Sequence, residues 1–408
     1  MRNWFVLAGV GCLVLAGCAG SDDEARPDDR PTAPPAATAA TLAEATEATE
    51  ATEAIEVRQR PHLACLPLDQ NGWSRSEQIV GVVGYPASLA ASDDAVVILG
   101  ETSPAGDVAA FRSIDGHEWQ RAEGFPDPRE WGPGLHLAGG SEGFVAVGTR
   151  NGSVPNTPVV AVSADGATWE QLAAASLPRE QVSSLSGVFA GPSGFVVVGN
   201  APPGGQLFVW HSADGRTWSE ADVPPLRYGA ASVAAIDAGW IAVTADENGQ
   251  VRVWTSADGE RWVETDVRTP PPDHAVRAYV GAAPLVVHGG ALVLMVSGAA
   301  DDDPWPHTPT VWVSTDEGTT WNERLVLSDT EANGFQVDGA ASTGFGIVLA
   351  GQQGRRSEHA ANFLHHSGDG ISWEPCWTTP LAITQIVAFG DGLVAYDAEF
   401  GDVFTWTP

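Results

Sequence analysis

The chain has 408 residues, a formal net charge of −32 and 43% hydrophobic residues, and all 20 of its basic residues are Arg. So acidic a chain excludes nucleic acid as a partner and excludes lying flat on an anionic lipid surface. The hydrophobic share is that of an ordinary globular domain.

Residues 1–17 read as a secretory signal, with Arg2 ahead of an apolar stretch from Trp4 to Ala16. The signal ends in Leu15-Ala16-Gly17-Cys18, which resembles a bacterial lipobox. That resemblance implies cleavage before Cys18 and a lipid on its sulfur, which anchors the chain to a membrane. Residues 18–61 are rich in Pro, Ala, Thr and acids and include EATEATEATEA from Glu44 to Ala54. Too few large apolar side chains are present to offset the entropy of ordering, so this stretch is predicted to be a disordered tether. No later stretch approaches the roughly 18 apolar residues of a membrane span. The expected location is the cell membrane, lipid-anchored, outside the cytoplasm.

Residues 62–408 carry one motif six times, Ser-x-Asp-(x)-Gly-x-x-Trp. It reads SIDGHEW from Ser113, SADGATW from Ser163, SADGRTW from Ser212, SADGERW from Ser256, STDEGTTW from Ser314 and SGDGISW from Ser367. A period of about 50 residues with one fixed turn per unit means repeated β units. An apolar, β-branched run such as VVAV before Ser163 predicts a strand into each turn. The Asp accepts hydrogen bonds from nearby backbone N–H groups, the Gly tolerates positive φ, and the Trp opens the next strand. Gly-bounded runs (GFVAVG, GFVVVG) and a small-residue strand before them complete four strands per unit, the blade of a propeller.

These residues resemble the Asp-box of sialidases, sortilin-type receptors and other BNR-repeat propellers. The resemblance implies an all-β propeller whose boxes, at Asp115, Asp165, Asp214, Asp258, Asp316 and Asp369, are structural and lie away from any active site. The span holds about seven units at this period. Seven four-stranded antiparallel blades are therefore expected, with six as the alternative. The seventh is composite: three strands near Ile383, Leu393 and Val403, and a fourth from Trp73 to Gln78. Such closure removes exposed sheet edges. Cys65 and Cys376 remain for the mature domain, and an exported chain favours a disulfide between them, with two free thiols as the alternative.

Sialidases also carry an Arg triad, a Tyr–Glu nucleophile pair, an Asp acid/base and an early Phe/Tyr-Arg-Ile-Pro motif. Here Phe111-Arg112-Ser113-Ile114 lacks the Pro and overlaps the first box, and Tyr85, Tyr228, Tyr279 and Tyr396 have no evident Glu partner. No catalytic residue is assigned, and no metal or cofactor signature is found. An Arg does recur about ten residues after the box Trp, as Arg129, Arg179 and Arg227 with Tyr228, and as Arg277 on a longer loop. These segments join the outer strand of one blade to the inner strand of the next. Guanidinium groups there suit a carboxylate, a phosphate or an acidic loop at the channel mouth. The competing reading is an Arg–acid pair bracing the loop, since Glu130 and Glu180 stand alongside. Asp301-Asp302-Asp303 and Arg355-Arg356 occupy further long loops, and His365 and His366 on one strand point to opposite faces. The expected function is binding or scaffolding of a protein partner or cell-envelope glycan by a monomer, with a sialidase-like, glycan-active enzyme as the alternative.

Overall fold

The computed structural model describes residues 72–76, 79, 88–102, 107–126, 131, 134–150, 152–153, 156–202, 205–224, 231–245, 251–265, 285–299, 307–326, 335–353, 361–379, 383–397 and 401–408. The leader, Cys18, the tether, Cys65, Arg129, Arg227, Tyr228, Arg277, Asp301, Asp302, Asp303, Arg355 and Arg356 lie outside the described residues. What is described is all-β, with seven four-stranded antiparallel sheets rather than six.

The first strand, β1 (Trp73–Arg75), precedes the first complete blade. Blade 1 is β2 (Ser88–Ala91), β3 (Val96–Thr102), β4 (Asp107–Ser113) and β5 (Gln120–Arg121). Blade 2 is β6 (His136–Gly140), β7 (Gly143–Thr149), β8 (Pro158–Ser163) and β9 (Glu170–Gln171). Blade 3 is β10 (Ser184–Gly191), β11 (Gly194–Ala201), β12 (Gln206–Ser212) and β13 (Ser219–Glu220). Blade 4 is β14 (Ala231–Ile236), β15 (Gly239–Ala245), β16 (Val251–Ser256) and β17 (Val263–Thr265). Blade 5 is β18 (Leu285–His288), β19 (Ala291–Ala299), β20 (His307–Ser314) and β21 (Asn322–Val326). Blade 6 is β22 (Phe335–Thr343), β23 (Gly346–Gln353), β24 (Ala361–Ser367) and β25 (Glu374–Thr379). Blade 7 takes β26 (Ile383–Phe389), β27 (Gly392–Asp397) and β28 (Asp402–Trp406) from the C-terminus and β1 as its fourth strand.

The first strands of successive blades touch one another in an unbroken circuit, β2, β6, β10, β14, β18, β22, β26 and back to β2. They line the central channel. This strand is rich in small residues: Ala91, Gly139, Ala190, Ala235, Val287, Ser342 and Ala388 share one hairpin register and are all half-buried. The second and third strands are covered on both faces by neighbouring blades. They therefore read as continuous apolar runs rather than alternating ones; every residue of β7 and β8 is buried.

Closure follows the expected split. Trp73 pairs with Trp406, Ser74 with Thr405 and Arg75 with Phe404. Blade 1 then clasps the seam, since Thr405 Oγ1 donates to Gly116 O at 2.6 Å and Ser76 Oγ to His117 O at 2.6 Å.

Antiparallel order sorts the connections onto two faces. The hairpin from first to second strand and the Ser-Asp-Gly-Trp corner from third to fourth strand share one face, the corner face. The hairpin from second to third strand and the link to the next blade join strand ends on the opposite side, the loop face.

Candidate functional site

The corners are self-contained. In the third, Asp214 Oδ1 accepts from the N–H groups of Arg216 and Thr217, both at 2.8 Å, and from Ser212 Oγ at 3.1 Å. Trp218 Nε1 donates to Gly215 O at 2.8 Å. The same indole-to-glycine bond closes the other five, at Trp119, Trp169, Trp262, Trp321 and Trp373. The fifth corner carries one extra residue, absorbed by Glu317 at φ 56°, and Asp316 accepts from Thr320 N instead.

Each corner also seals an interface. Trp169 packs with Val97 and Leu99 of blade 1, Trp218 with Val145 and Val160 of blade 2, and Trp262 with Val196 and Val198 of blade 3. The aromatic ring is thus a gasket against the preceding blade.

The corner carboxylates are held below their ordinary value of 3.8. At Asp214, Asp258 and Asp369 backbone N–H groups of Thr217, Glu260 and Ser372 lead the effect. At Asp316 the Thr320 hydroxyl leads. At Asp115 and Asp165 partial burial pulls upward and the bonds from the following N–H groups outweigh it. A carboxylate so saturated with donors is a brace, not a proton carrier.

On the loop face, Arg179 follows a 3-10 turn (Ala174–Ser176) that leads from β9 to β10. Its guanidinium pairs with Glu220 of β13 and lies 5.3 Å from the Phe208 ring centroid. Its acid partner is therefore Glu220 of blade 3, and Arg179 stands over the third and fourth strands of that blade. Neighbouring connections on this face are tied across blades, with Asn156 Nδ2 donating to Ser183 O at 2.8 Å.

The inner strands depart from regular pairing at one level. β10 shifts register between Leu185 and Gly187, β22 between Val337 and Gly339, and β26 between Ile383 and Gln385. Each is a bulge whose extra residue is polar: Ser186, Asp338 and Thr384. All three are half-buried at the loop-face end of channel-lining strands. Sequence reading missed them. A polar residue followed by Gly inside a strand, Ser186-Gly187 and Asp338-Gly339, is the signal that marks them.

Tyr396 is 1% exposed, and burial first, then Asp397 and Asp402, push its phenol up to about 12. It is a neutral packing residue between blades 7 and 1. Tyr85, Tyr228 and Tyr279 lie outside the described residues. His366 Nε2 donates to Phe345 O at 3.1 Å, while burial lowers His365 to about 4 and its Nδ1 has no partner.

This architecture is similar to that of solved propellers. Virginiamycin B lyase from Staphylococcus aureus aligns over 82% of this chain and 99% of its own, with TM-score 0.53 and 14% identity. Hydrazine synthase from Kuenenia stuttgartiensis aligns over 80% and 96%, with TM-score 0.52 and 11% identity. YCF48 from Cyanidioschyzon merolae aligns over 83% and 99%, with TM-score 0.48 and 13% identity. No family model and no curated protein matches the chain. At these identities the likeness is one of fold.

Proposed function

We propose that this chain is a lipid-anchored, extracytoplasmic propeller of the Asp-box kind that works as a binding or scaffolding module. It engages a protein loop or a cell-envelope glycan on the loop face. The observation that carries this is the division of labour between faces. All six corners, with their saturated carboxylates, turn one way, and the interblade links bearing Arg129, Arg179, Arg227, Tyr228 and Arg277 join strand ends on the other. Rigid strands below and sequence-variable connections above are the usual arrangement of a recognition surface. The N-terminal strand supports the same orientation. β1 begins at the corner face, where Trp73 pairs with Trp406, so the segment that would carry the lipid on Cys18 joins the propeller opposite the binding face.

Capture from membrane extracts with the lipidated full chain tests this. Wild type is expected to retain a discrete partner or glycan, and Arg179→Glu with Arg227→Glu to weaken retention. Turnover of a fluorogenic sialoside, or retention indifferent to both reversals and to every other change on the loop face, would refute the reading.

A further inference from the structure

The blade interfaces repeat one geometry, so equivalent places in them can be compared. One such place lies near the loop face, and in two interfaces it holds an aromatic ring. Between blades 1 and 2 the ring is Trp131, 4% exposed and supplied by the link that joins them. It shares a core cluster with Leu99 and Ala110, stacks on Phe125 at 5.5 Å and covers Gly148, where a Cβ would lie 2.7 Å from Trp131 Cε3. Between blades 2 and 3 the ring is Phe208 of β12. It shares a cluster with Val147 and Val160 and covers Gly199, where a Cβ would lie 2.5 Å from Phe208 Cζ. Between blades 3 and 4 the equivalent place is a pocket of about 330 Å³, its open mouth included. Val198 and Val209 line it at the level that Leu99 and Ala110, or Val147 and Val160, hold in the other two. Thr244 stands at the level of Gly148 and Gly199. Arg252 stands at the level of Phe208, but its guanidinium donates to Glu264 Oε1 of the outermost strand at 2.7 Å.

We infer that this pocket binds a small uncharged molecule with a single aromatic ring. It needs none of the arginines on which the partner binding proposed above rests. The repeat itself argues for a ring, because the same place in the two preceding interfaces is built around one. Trp254 and Trp262 add aromatic walls. Thr244 is the one polar residue of the described lining, and its Oγ1 accepts from Trp254 Nε1 at 3.1 Å. A charged or hydroxyl-rich ligand would lose its water here without gaining partners. A hydrocarbon ring gains from the apolar area it takes out of water. Size sets the upper limit. Gly199 leaves space for the whole Phe208 ring beside Trp210, 5.1 Å away. The Thr244 side chain takes up part of that space, which holds the ligand to one ring and keeps out a fused pair.

The test is fluorine NMR of fluorobenzene titrated with the full-length chain. Saturable line broadening is expected, reversed by toluene and not by zwitterionic phenylalanine. Thr244→Gly with Arg252→Phe rebuilds the Gly199–Phe208 pair and gives the place a ring of its own. Binding should then fall at least about tenfold, while the urea midpoint holds or rises. Ala242→Val adds two methyl groups to the pocket wall and should weaken binding about fivefold. It keeps the test decisive if the double variant does not fold. No saturable broadening with the unmodified chain, or broadening of equal strength in either folded variant, overturns the inference. Broadening that appears only after Tyr228→Ala would give the place to a side chain of the protein itself and overturn it too.

Discussion

Gly166 tests the corner as an interblade gasket. Its φ is +77°, and a Cβ there would lie 2.5 Å from Val97 Cγ2 of blade 1 and 3.3 Å from Phe144 Cε2. Gly166→Ala therefore carries two costs. A left-handed Ala costs about 1–2 kcal/mol. Forcing a methyl against Val97, which is fully buried in β3, adds about 1–3 kcal/mol of overpacking. Gly152 is the control, since its φ is +73° and nothing lies within 4 Å of its Cβ position. Gly152→Ala should show the backbone cost alone. Equilibrium urea unfolding of the two variants should separate them by about 1–3 kcal/mol. Adding Val97→Ala to Gly166→Ala should recover most of that difference, as coupling between groups in contact requires. Equal midpoints for the two glycine variants, or strict additivity with Val97→Ala, would refute the idea that the corner is pressed against the preceding blade.

Three further outcomes are expected. The six corner aspartates have folded values below 3.8, so the stability they add is complete above about that pH and is lost as pH falls below it; circular dichroism on acid titration should show unfolding there, and Asp258→Asn should blunt it. His365, half-buried and lowered to about 4 from 6.5, costs stability as pH falls from 6.5 towards 4, because the unfolded chain takes up the proton first. His365→Phe should remove that part of the pH dependence and raise the urea midpoint at pH 5 more than at pH 8. Cys376 is the extra residue of the β24–β25 bulge, and a bridge to Cys65 would close a loop of about 310 residues and add about 2–5 kcal/mol; non-reducing peptide mapping should recover the linked pair, and two free thiols would dismiss it.

Much of the architecture was legible because repetition states it several times. The corner motif, the Gly-bounded second strand and the small first strand recur, so one ambiguous segment is corrected by its equivalents. The spacing of the units located the seam, where Trp73 pairs with Trp406; Trp406 itself stands opposite Leu393 as the corner Ser212 stands opposite Phe195, and Phe404 holds the level of Trp210, Trp254 and Trp312. The proposed binding face was harder to read. Arg179 recurs at a fixed distance from the box Trp, yet a one-dimensional spacing does not tell which blade its guanidinium meets. The structure gives it Glu220, forty-one residues on, rather than the adjacent Glu180. The bulges were hidden for a different reason. A one-residue slip in a strand pair depends on the partner strand, and Ser186 or Thr384 alone looks like any polar residue in a strand.

The most direct measurement places a photo-crosslinking side chain at Ser184, exposed on the loop face, and separately at Ile114, 63% exposed on the corner face. Irradiation of the lipidated chain in its own membranes should yield an adduct from position 184 and none from 114. Adducts from 114 with none from 184 would contradict the account.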